Sequence, residues 1–276
     1  MPTNNRKVGS MAFVEQERNG LVYMTVEDFG VRHAFSTRLG GVSTGHLSSL
    51  NLGENRGDDP QAVKENYRRL GEAIGIDTAE MVYTKQVHGN VVRVARRSDC
   101  RRPYDPFLYE ADGLVTNEPN PPLIAFTADC IPMLLSDPVN GVIGAVHCGW
   151  RSTVSDIAGN AIDAMCGLGA ELQHIRAAIG PGISFCCFET GPEIPEAIVA
   201  FLGEAAAAPL FCPEEGVTGK FMVDLKGVNR TRLLQKGIAA SHITVSDECT
   251  VCSCEKYWSH RATHGMRGAQ ACIITL

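Results

Sequence analysis

Three residues that can do chemistry, Asp129, Cys130 and His147, lie within one short stretch of the sequence. Two apolar segments of this stretch, 131–136 and 142–146, flank a run of Asp, Pro, Val, Asn and Gly. Apolar, β-branched segments on both sides of such a run predict a β-hairpin. This hairpin would carry both the thiol and the imidazole.

The register of the hairpin decides how the thiol and the imidazole meet. If Ser136 faces Gly141 across a four-residue loop, Cys130 lies opposite His147. A shorter loop moves the two residues to diagonal positions, but both side chains stay on the same face of the hairpin. We therefore expect the Cys130 thiol and the His147 imidazole to lie close together.

Two chemistries fit this pair of side chains. Thiolate and imidazole are good ligands for zinc, and the same pair can form an activated nucleophile with its base. A catalytic zinc typically has three protein ligands, and His88, in the connection between two predicted strands, is the best-placed third candidate. The residues alone leave open a zinc site of His88, Cys130 and His147 or a Cys130 nucleophile assisted by His147.

An arginine beside paired glycines is a further candidate for binding. A predicted strand ends at Ser36, and Arg38 then precedes the Gly40-Gly41 turn. A guanidinium and exposed backbone N–H groups suit an anion such as phosphate. A plain glycine turn with a solvated arginine explains the same residues equally well.

The elements that must position these residues follow from hydrophobic spacing and caps. Helices are predicted from Pro60 with Asp59 as cap, at 154–168 with Ser152 or Thr153 as cap, at 192–208 and at 225–236. Strands are predicted at 21–25, 31–36, 81–84, 91–94, 113–116, 123–127, 131–136, 142–146, 175–179, 243–246 and 271–276.

The balance of these elements indicates the fold class. Strands outnumber helices by more than two to one, and no helix is predicted within 81–146, whereas a doubly wound parallel sheet needs a helix after most strands. We therefore predict an α+β fold, a layered α/β/β/α sandwich with mixed β-sheets and outer helices. The whole chain, residues 1–276, is expected to form one domain.

Composition narrows the class of protein further. The chain has 276 residues, 44% of them hydrophobic, and a net charge of −6, which gives no basic field for nucleic acid. No apolar stretch approaches the ~18 residues of a membrane span, and no secretion signal begins the chain. We expect a cytoplasmic protein with neither nucleic-acid nor membrane partners, either a monomer or a small homo-oligomer.

The number of cysteines does not indicate a disulfide framework. There are eleven, an odd number, in a chain that is long for a disulfide scaffold. The Cys249-x-x-Cys252-x-Cys254 run matches half of a zinc ribbon, but the Cys186-Cys187 pair lacks the spacing of a second half. The sequence thus disfavours a structural zinc there and leaves the role of these cysteines open.

Taken in order, the motifs resemble those of the purine nucleoside phosphorylase family formerly called the laccase-domain, or multicopper polyphenol oxidase, family. The resemblance covers nearly the whole chain. It is carried by Ser36-Thr37-Arg38, Gly40-Gly41-Val42-Ser43, Ser49-Leu50-Asn51-Leu52-Gly53, Gly57-Asp58-Asp59-Pro60, Gln86-Val87-His88-Gly89, Ala111-Asp112-Gly113, Thr127-Ala128-Asp129-Cys130, His147-Cys148-Gly149-Trp150-Arg151 and Ile179-Gly180-Pro181.

The resemblance implies an activity and a ligand set. It implies zinc-dependent phosphorolysis of adenosine, inosine and methylthioadenosine, with adenosine deamination as a second activity, and purine nucleosides and phosphate as the small-molecule partners. It places the metal ligands on His88, Cys130 and His147, with copper as an alternative metal. A three-ligand zinc explains deamination more directly than phosphorolysis, because deamination needs an activated water.

Substrate and catalytic roles are assigned on the same basis. The anion is expected to bind Arg38 with the turn at Gly41, with Arg151 as a second clamp. Asn51 and Gln86 are the remaining predicted substrate contacts.

Asp129 is expected to act as the catalytic carboxylate that moves a proton during deamination, although alternation would turn it to the strand face opposite Cys130 unless the strand has ended by then. Departures from the family pattern at the Tyr257–Arg261 run and at Gly268-Ala269 put substrate preference in doubt more than reaction class.

Three other functions stay open. Cys130 and His147 could form a cysteine-type amidase acting on a peptidoglycan precursor, since some members of the family are described as peptidoglycan editing factors. Copper-dependent polyphenol oxidation is the family's older label, but eight scattered histidines without His-x-His pairs argue against it. A metal-binding module without catalysis would turn over no nucleoside.

Overall fold

Two large β-sheets form the centre of the computed structural model, which describes residues 11–276. The five-stranded sheet has the order β1 (Phe13–Arg18), β2 (Leu21–Val26), β3 (Arg32–Ser36), β14 (Gln270–Thr275), β6 (Leu123–Thr127). The six-stranded sheet has the order β13 (Ile243–Val245), β9 (Arg176–Ile179), β7 (Ile131–Asp137), β8 (Val142–Cys148), β5 (Gly113–Thr116), β4 (Val92–Val94). A small sheet has the order β10 (Glu189–Thr190), β12 (Phe221–Val223), β11 (Phe211–Pro213).

Helices cover the outer faces of the two large sheets. They are α1 (Pro60–Ile74), α2 (Trp150–Val154), α3 (Ile157–Gly167), α4 (Glu193–Leu202), α5 (Glu204–Ala207) and α6 (Leu225–Gln235). The buried side chains of α1 pack on the five-stranded sheet, and those of α3, α4 and α6 pack on the six-stranded sheet. Side chains of both sheets, among them Phe35 and Ile274 from one and Leu134 and Ile143 from the other, share a third core.

The order of layers is therefore helix, sheet, sheet, helix, which confirms the predicted layered α/β/β/α sandwich. Near-continuous apolar strands explain it, because a sheet that is apolar on both faces must be covered on both. The six-stranded sheet is such a sheet: every residue of β7 and β8 is buried. None of the helices within residues 11–276 is long and apolar enough to cross a membrane.

The helix N-termini confirm one predicted cap and correct another. The Asp59 cap of α1 is confirmed, because its carboxylate accepts a hydrogen bond from the Gln61 N–H at 2.9 Å. The predicted cap at Ser152 or Thr153 is wrong: Asp156 caps α3 instead, accepting from the Gly159 N–H at 3.1 Å.

The other corrections arise where one predicted element is divided or reduced. The helix predicted at 192–208 breaks at Gly203, whose φ of 85° is not helical, and so forms α4 and α5. The strand predicted at 81–84 has only isolated bridges, from Met81 to Arg101 and from Val82 to Leu123. The edge strand β1 was missed because its residues are mostly polar.

Candidate metal site and its pocket

The predicted hairpin is formed by β7 and β8, with a register different from the expected one. Asp137 pairs with Val142, so Pro132 rather than Cys130 lies opposite His147. The four-residue loop is thus shifted by one residue along the sequence, from 137–140 to 138–141. Because the residue opposite His147 is two positions from the expected one, Cys130 is a diagonal neighbour of His147. Its side chain therefore stays on the same face of the hairpin.

The turn itself explains this register. The Asp137 carboxylate accepts hydrogen bonds from the backbone N–H groups of Val139 and Asn140, both at 3.0 Å. Such an Asx-type turn needs Asp137 at the end of the strand rather than inside the loop. The strand therefore runs one residue beyond the predicted Ser136.

His88, Cys130 and His147 converge on one point, and we call them the pocket cluster. One potential ligand atom from each lies within 4.8 Å of the others, and Cys130 Sγ is 3.8 Å from His88 Nε2. Gly149 leaves room for them: a Cβ atom there would lie 2.8 Å from His88 Cδ2 and 3.4 Å from Cys130 Sγ. Two nitrogen ligands and one sulfur ligand would leave the fourth position of a tetrahedral metal open, which is the pattern of catalytic zinc sites.

A buried carboxylate that sequence reasoning had given no role, Asp112, orients two members of the pocket cluster. It accepts the His147 Nδ1–H at 2.8 Å and the backbone N–H groups of His88 and Gly89 at 2.9 and 2.8 Å. His147 Nε2 is thereby left as the free ring nitrogen, and the turn carrying His88 is fixed in a left-handed conformation with φ of 59°. Carboxylates that orient ligating histidines in this way raise metal affinity.

The charges of the pocket cluster reinforce one another. Burial acts to raise the pKa of Cys130, but the facing imidazoles of His147 and His88 lower it to about 6. Burial acts to lower the pKa of His147, yet the Cys130 thiolate and Asp112 raise it to about 9. A thiolate at neutral pH suits a metal ligand and a nucleophile equally, so this pKa does not choose between the two chemistries.

The three residues of the pocket cluster line a pocket of about 280 Å³. Three aromatic rings line it, and Tyr83 packs edge to face on Phe126 and Phe107 with centroid distances of 5.4 and 6.1 Å. A wall of this kind suits a flat, partly apolar ring.

Two arginines line the same pocket, Arg56 and Arg267. Burial and then the neighbouring Arg56 guanidinium lower the pKa of Arg267 to about 10, so both groups stay positively charged at neutral pH. Arg267 Nε is buried and has no hydrogen-bond partner within the described residues. A free, buried N–H donor beside a second guanidinium is suited to an anionic ligand.

Gln86 is the predicted substrate contact that the structure does bring to the pocket. Its side-chain amide exchanges two hydrogen bonds with the Phe126 backbone, at 2.8 and 2.7 Å, and so fixes one wall. Both polar ends of the amide are engaged by this pairing.

The structure does not bring Arg38 to the pocket lining. Its guanidinium donates to the Ser48 carbonyl at 3.2 and 2.7 Å and to the Cys254 carbonyl at 3.0 Å, and it stacks 3.9 Å from the Trp258 ring. The Gly41 N–H donates to Ser49 Oγ at 3.2 Å. These groups tie three loops together.

Asn51 and Arg151 also lie outside the pocket lining. Asn51 is fully buried, and its Oδ1 accepts the Ala269 N–H at 3.0 Å, which joins the loop at Gly53 to the chain just before β14. Arg151 is exposed and lies 4.3 Å from the Trp150 ring.

Asp129 adjoins Cys130 in the chain, but its carboxylate is used elsewhere. It accepts the Thr250 hydroxyl and the Arg261 backbone N–H, both at 2.6 Å. The φ of Asp129 is 83°, and β7 begins only at Ile131. The alternation of side chains along the strand therefore does not determine where the Asp129 side chain points. The roles assigned from the sequence to Asp129, Arg38, Gly41, Asn51 and Arg151 stay predictions.

Comparisons with known proteins agree with one another. The family described as multi-copper polyphenol oxidoreductase laccase matches residues 32–276. A Deinococcus radiodurans protein named purine nucleoside phosphorylase is 37% identical over 257 residues, which cover 93% of this chain and 94% of the relative. The Geobacillus stearothermophilus protein named purine nucleoside phosphorylase YlmD is 33% identical over 269 residues, covering 94% and 96%.

Solved structures show the same likeness. The crystal structure of Bacillus licheniformis YfiH has a TM-score of 0.88 and 30% identity, covering 95% of this chain and 98% of that one. The crystal structure of Geobacillus stearothermophilus YlmD has a TM-score of 0.84 and 31% identity, covering 96% and 98%.

Proposed function

The chain belongs to the family described as multi-copper polyphenol oxidoreductase laccase, and we propose that its own activity is zinc-dependent phosphorolysis of purine nucleosides. The names of the two relatives reported above support the reaction class. The substrates proposed are adenosine, inosine and methylthioadenosine, each giving a free base and a sugar 1-phosphate.

One observation carries the proposal: a metal-type ligand set and two arginines line a single pocket that also has an aromatic wall. Phosphorolysis needs a place for a phosphate, a place for a flat base and positive charge near both. A pocket of about 280 Å³ is at the small end of ligand pockets, which favours a small molecule such as a nucleoside.

The residues of the pocket cluster fit a zinc ion. They offer two imidazoles and a thiolate, the space between them is kept by Gly149, and Asp112 fixes the tautomer of His147. When bound, zinc supplies a positive charge and Lewis acidity beside the pocket cluster. Copper also accepts this donor set, so the metal is part of what the experiment below decides.

The arginines are proposed to hold the phosphate. In phosphorolysis a phosphate oxygen forms a bond to the ribose C1′ while the bond from C1′ to the purine nitrogen breaks, and the electron pair leaves with the base. Arg56 and Arg267 would bind and orient the attacking phosphate, and Arg267 Nε has no competing hydrogen-bond partner in the part of the chain that the structure describes. Tyr83 and Phe126 would hold the base and exclude water from it.

Adenosine deamination is proposed as a second activity of the same pocket. It requires a proton to move from water to the departing ammonia. Both Asp129 oxygens accept hydrogen bonds, and so do both Glu54 oxygens, one from Tyr83 and one from Arg101 at 3.4 Å. Glu54 differs in that it lines the pocket, whereas Asp129 is not among the lining residues. Glu54 is therefore the second carboxylate to test beside Asp129.

The test is chromatography of adenosine, inosine and methylthioadenosine incubated with zinc-loaded, copper-loaded and chelator-treated protein, with and without phosphate. We expect free base only when zinc and phosphate are both present. Cys130→Ser, which removes one ligand of the pocket cluster, is assayed beside the wild-type protein. Cys166→Ser is its matched control, because Cys166 is an exposed cysteine on α3 that does not line the pocket.

The rival functions give different results in the same assay. Base release that needs no phosphate, or no base release at all, would overturn the proposal of phosphorolysis. Activity of the chelator-treated protein that iodoacetamide abolishes, that Cys130→Ser lacks and that Cys166→Ser keeps would identify Cys130 as a nucleophile, as the amidase hypothesis requires. Oxidation of a phenol by the copper-loaded protein alone would support the polyphenol oxidase hypothesis.

A further inference from the structure

Two pairs of cysteines that are distant in sequence come together in the fold. We call them the four-cysteine cluster: Cys186, Cys187, Cys249 and Cys252. Their sulfur atoms all lie within 4.8 Å of one another. The Cys252 Sγ lies 3.5 Å from Cys186 Sγ and 3.4 Å from Cys187 Sγ. The sequence had disfavoured a metal here because the first pair lacks a Cys-x-x-Cys spacing.

The fold brings the two pairs together. The first pair follows β9, the second follows β13, and these strands are parallel neighbours in the six-stranded sheet. Beyond the strand ends, the Thr250 N–H donates to the Gly182 carbonyl at 3.2 Å, so the two loops leave the sheet side by side. The adjacent Cys186 and Cys187 can then approach Cys252 from one side without the usual spacing.

The sulfur distances match a metal site rather than disulfides. Four thiolates around a tetrahedral zinc, each about 2.3 Å from the metal, lie about 3.8 Å apart. A disulfide needs about 2.05 Å between its sulfurs. The observed 3.4 and 3.5 Å are close to the tetrahedral spacing, and all four cysteines are free thiols.

The surroundings carry the charge that such a centre needs. Lys226 is 4% exposed, and its ammonium donates to Ser184 Oγ at 2.9 Å and to the Ser246 and Glu248 carbonyls at 2.9 and 2.7 Å. The Ser184 backbone N–H donates to Cys249 Sγ at 3.4 Å. An ammonium buried against neutral carbonyls is costly, and a neighbouring anionic centre offsets that cost.

We propose that the four-cysteine cluster binds one zinc ion through its four thiolates, as a structural site additional to the pocket cluster. Binding releases the thiol protons to solvent and forms four zinc–sulfur bonds. Four protein ligands leave no open position, as in structural rather than catalytic zinc sites. The ion would fasten the 182–188 loop to the 249–257 loop.

The fastened loops reach the pocket cluster through Asp129. Thr250 and Arg261 donate to the Asp129 carboxylate, and the Ile183 N–H donates to the Asp129 carbonyl at 2.8 Å. Asp129 precedes Cys130, so the proposed zinc would stabilise the chain segment that presents this ligand. This role is independent of which reaction the pocket performs.

The first experiment measures zinc per chain by mass spectrometry in protein purified without oxygen. Cys252→Ser should contain one equivalent less than the wild-type protein, whereas the control Cys166→Ser, which changes an exposed cysteine outside the cluster, should contain the same amount. Equal zinc in Cys252→Ser and wild type would overturn the proposal. So would a disulfide among the four cysteines in the wild-type protein.

A second measurement stands even if Cys252→Ser fails to fold. In Cys130→Ser, which lacks a ligand of the pocket cluster, X-ray absorption at the zinc edge should show a shell of four sulfurs at about 2.3 Å. A protein that retains no zinc, or zinc whose shell contains no sulfur, would contradict the proposal.

Discussion

The pocket cluster and the four-cysteine cluster use the same soft ligand, yet the fold treats them differently. The pocket cluster has three ligands, a carboxylate behind one of them and a cavity of about 280 Å³ beside it. The four-cysteine cluster has four ligands on two loops and lines no part of this pocket. An open coordination position beside a cavity suits chemistry, whereas a closed set of thiolates suits structure.

Charge distinguishes the two clusters in the same way. The pocket cluster contains histidines and shares its pocket with Arg267, whose buried Nε has no hydrogen-bond partner within residues 11–276. The four-cysteine cluster lies near Lys226, whose ammonium is fully engaged by Ser184, Ser246 and Glu248. The unpaired Arg267 donor thus lies at the proposed binding site, and the fully paired Lys226 ammonium lies at the proposed structural site.

Removing one thiol from each cluster tests this contrast with the largest expected effect. Cys130→Ser should lower kcat/KM for inosine more than about 100-fold, because a ligand matters more than the groups behind it. Cys252→Ser should instead cost about 4 kcal/mol or more of unfolding free energy, the effect of losing a structural metal. Steady-state kinetics and urea unfolding of both variants measure the two effects.

Cys166→Ser serves as the control for both, and it should change neither quantity. If Cys130→Ser loses its zinc but keeps wild-type turnover, the assignment of chemistry to the pocket cluster is wrong. If Cys252→Ser unfolds at the same urea concentration as the wild type, the assignment of structure to the four-cysteine cluster is wrong.

Asp112→Asn should have the next largest effect, since the carboxylate orients both His147 and the turn of His88. We expect zinc affinity of the pocket cluster to fall about 10–100-fold. Competition with a coloured chelator measures it, and Asp163→Asn, at an exposed carboxylate of α3 paired with Lys236, is the control. An unchanged affinity would show that Asp112 orients no ligand.

Arg267→Gln sharpens the difference between free and satisfied donors. A hydrogen bond to a charged group contributes about 1.5–3 kcal/mol, so KM for phosphate should rise about 10–100-fold with a smaller change in the KM for inosine. Initial rates at varied phosphate measure this. Arg102→Gln, at an exposed arginine outside the pocket lining, should leave both constants unchanged.

Arg38→Gln should have the smallest effect on turnover. The Arg38 guanidinium holds the Ser48 and Cys254 carbonyls, so its loss should reduce unfolding free energy by about 1–3 kcal/mol and leave the KM for phosphate near the wild-type value. Urea unfolding and phosphate kinetics test the two halves. A rise in the KM for phosphate as large as in Arg267→Gln would return the anion site to Arg38, where the sequence had placed it.

The order of helix and sheet layers could be predicted from the sequence, and so could the placement of Cys130 and His147 on the same face of the hairpin. Both depend on local patterns. Alternation with a period of two survives a change of register by two positions, so Cys130 and His147 meet although Pro132 is the residue opposite His147. The extension to Asp137 was missed because it depends on hydrogen bonds to the turn.

Long-range contacts limited what else could be predicted. Arg267 reaches the pocket because its loop is tied to Asn51 through Ala269, across 218 residues. The four-cysteine cluster depends on the pairing of β9 with β13, which brings residues more than 60 positions apart into contact. Asp112 lay in a recognised Ala-Asp-Gly motif, but only its hydrogen bonds reveal what the carboxylate does.

Phosphorus NMR of inosine incubated with zinc-loaded protein and phosphate tests the central claim most directly. Inorganic phosphate should be converted to a sugar 1-phosphate in an amount equal to the hypoxanthine released, and both products should disappear when Cys130→Ser replaces the wild-type protein. Hypoxanthine released without a sugar 1-phosphate, or equal conversion by Cys130→Ser, would contradict the account.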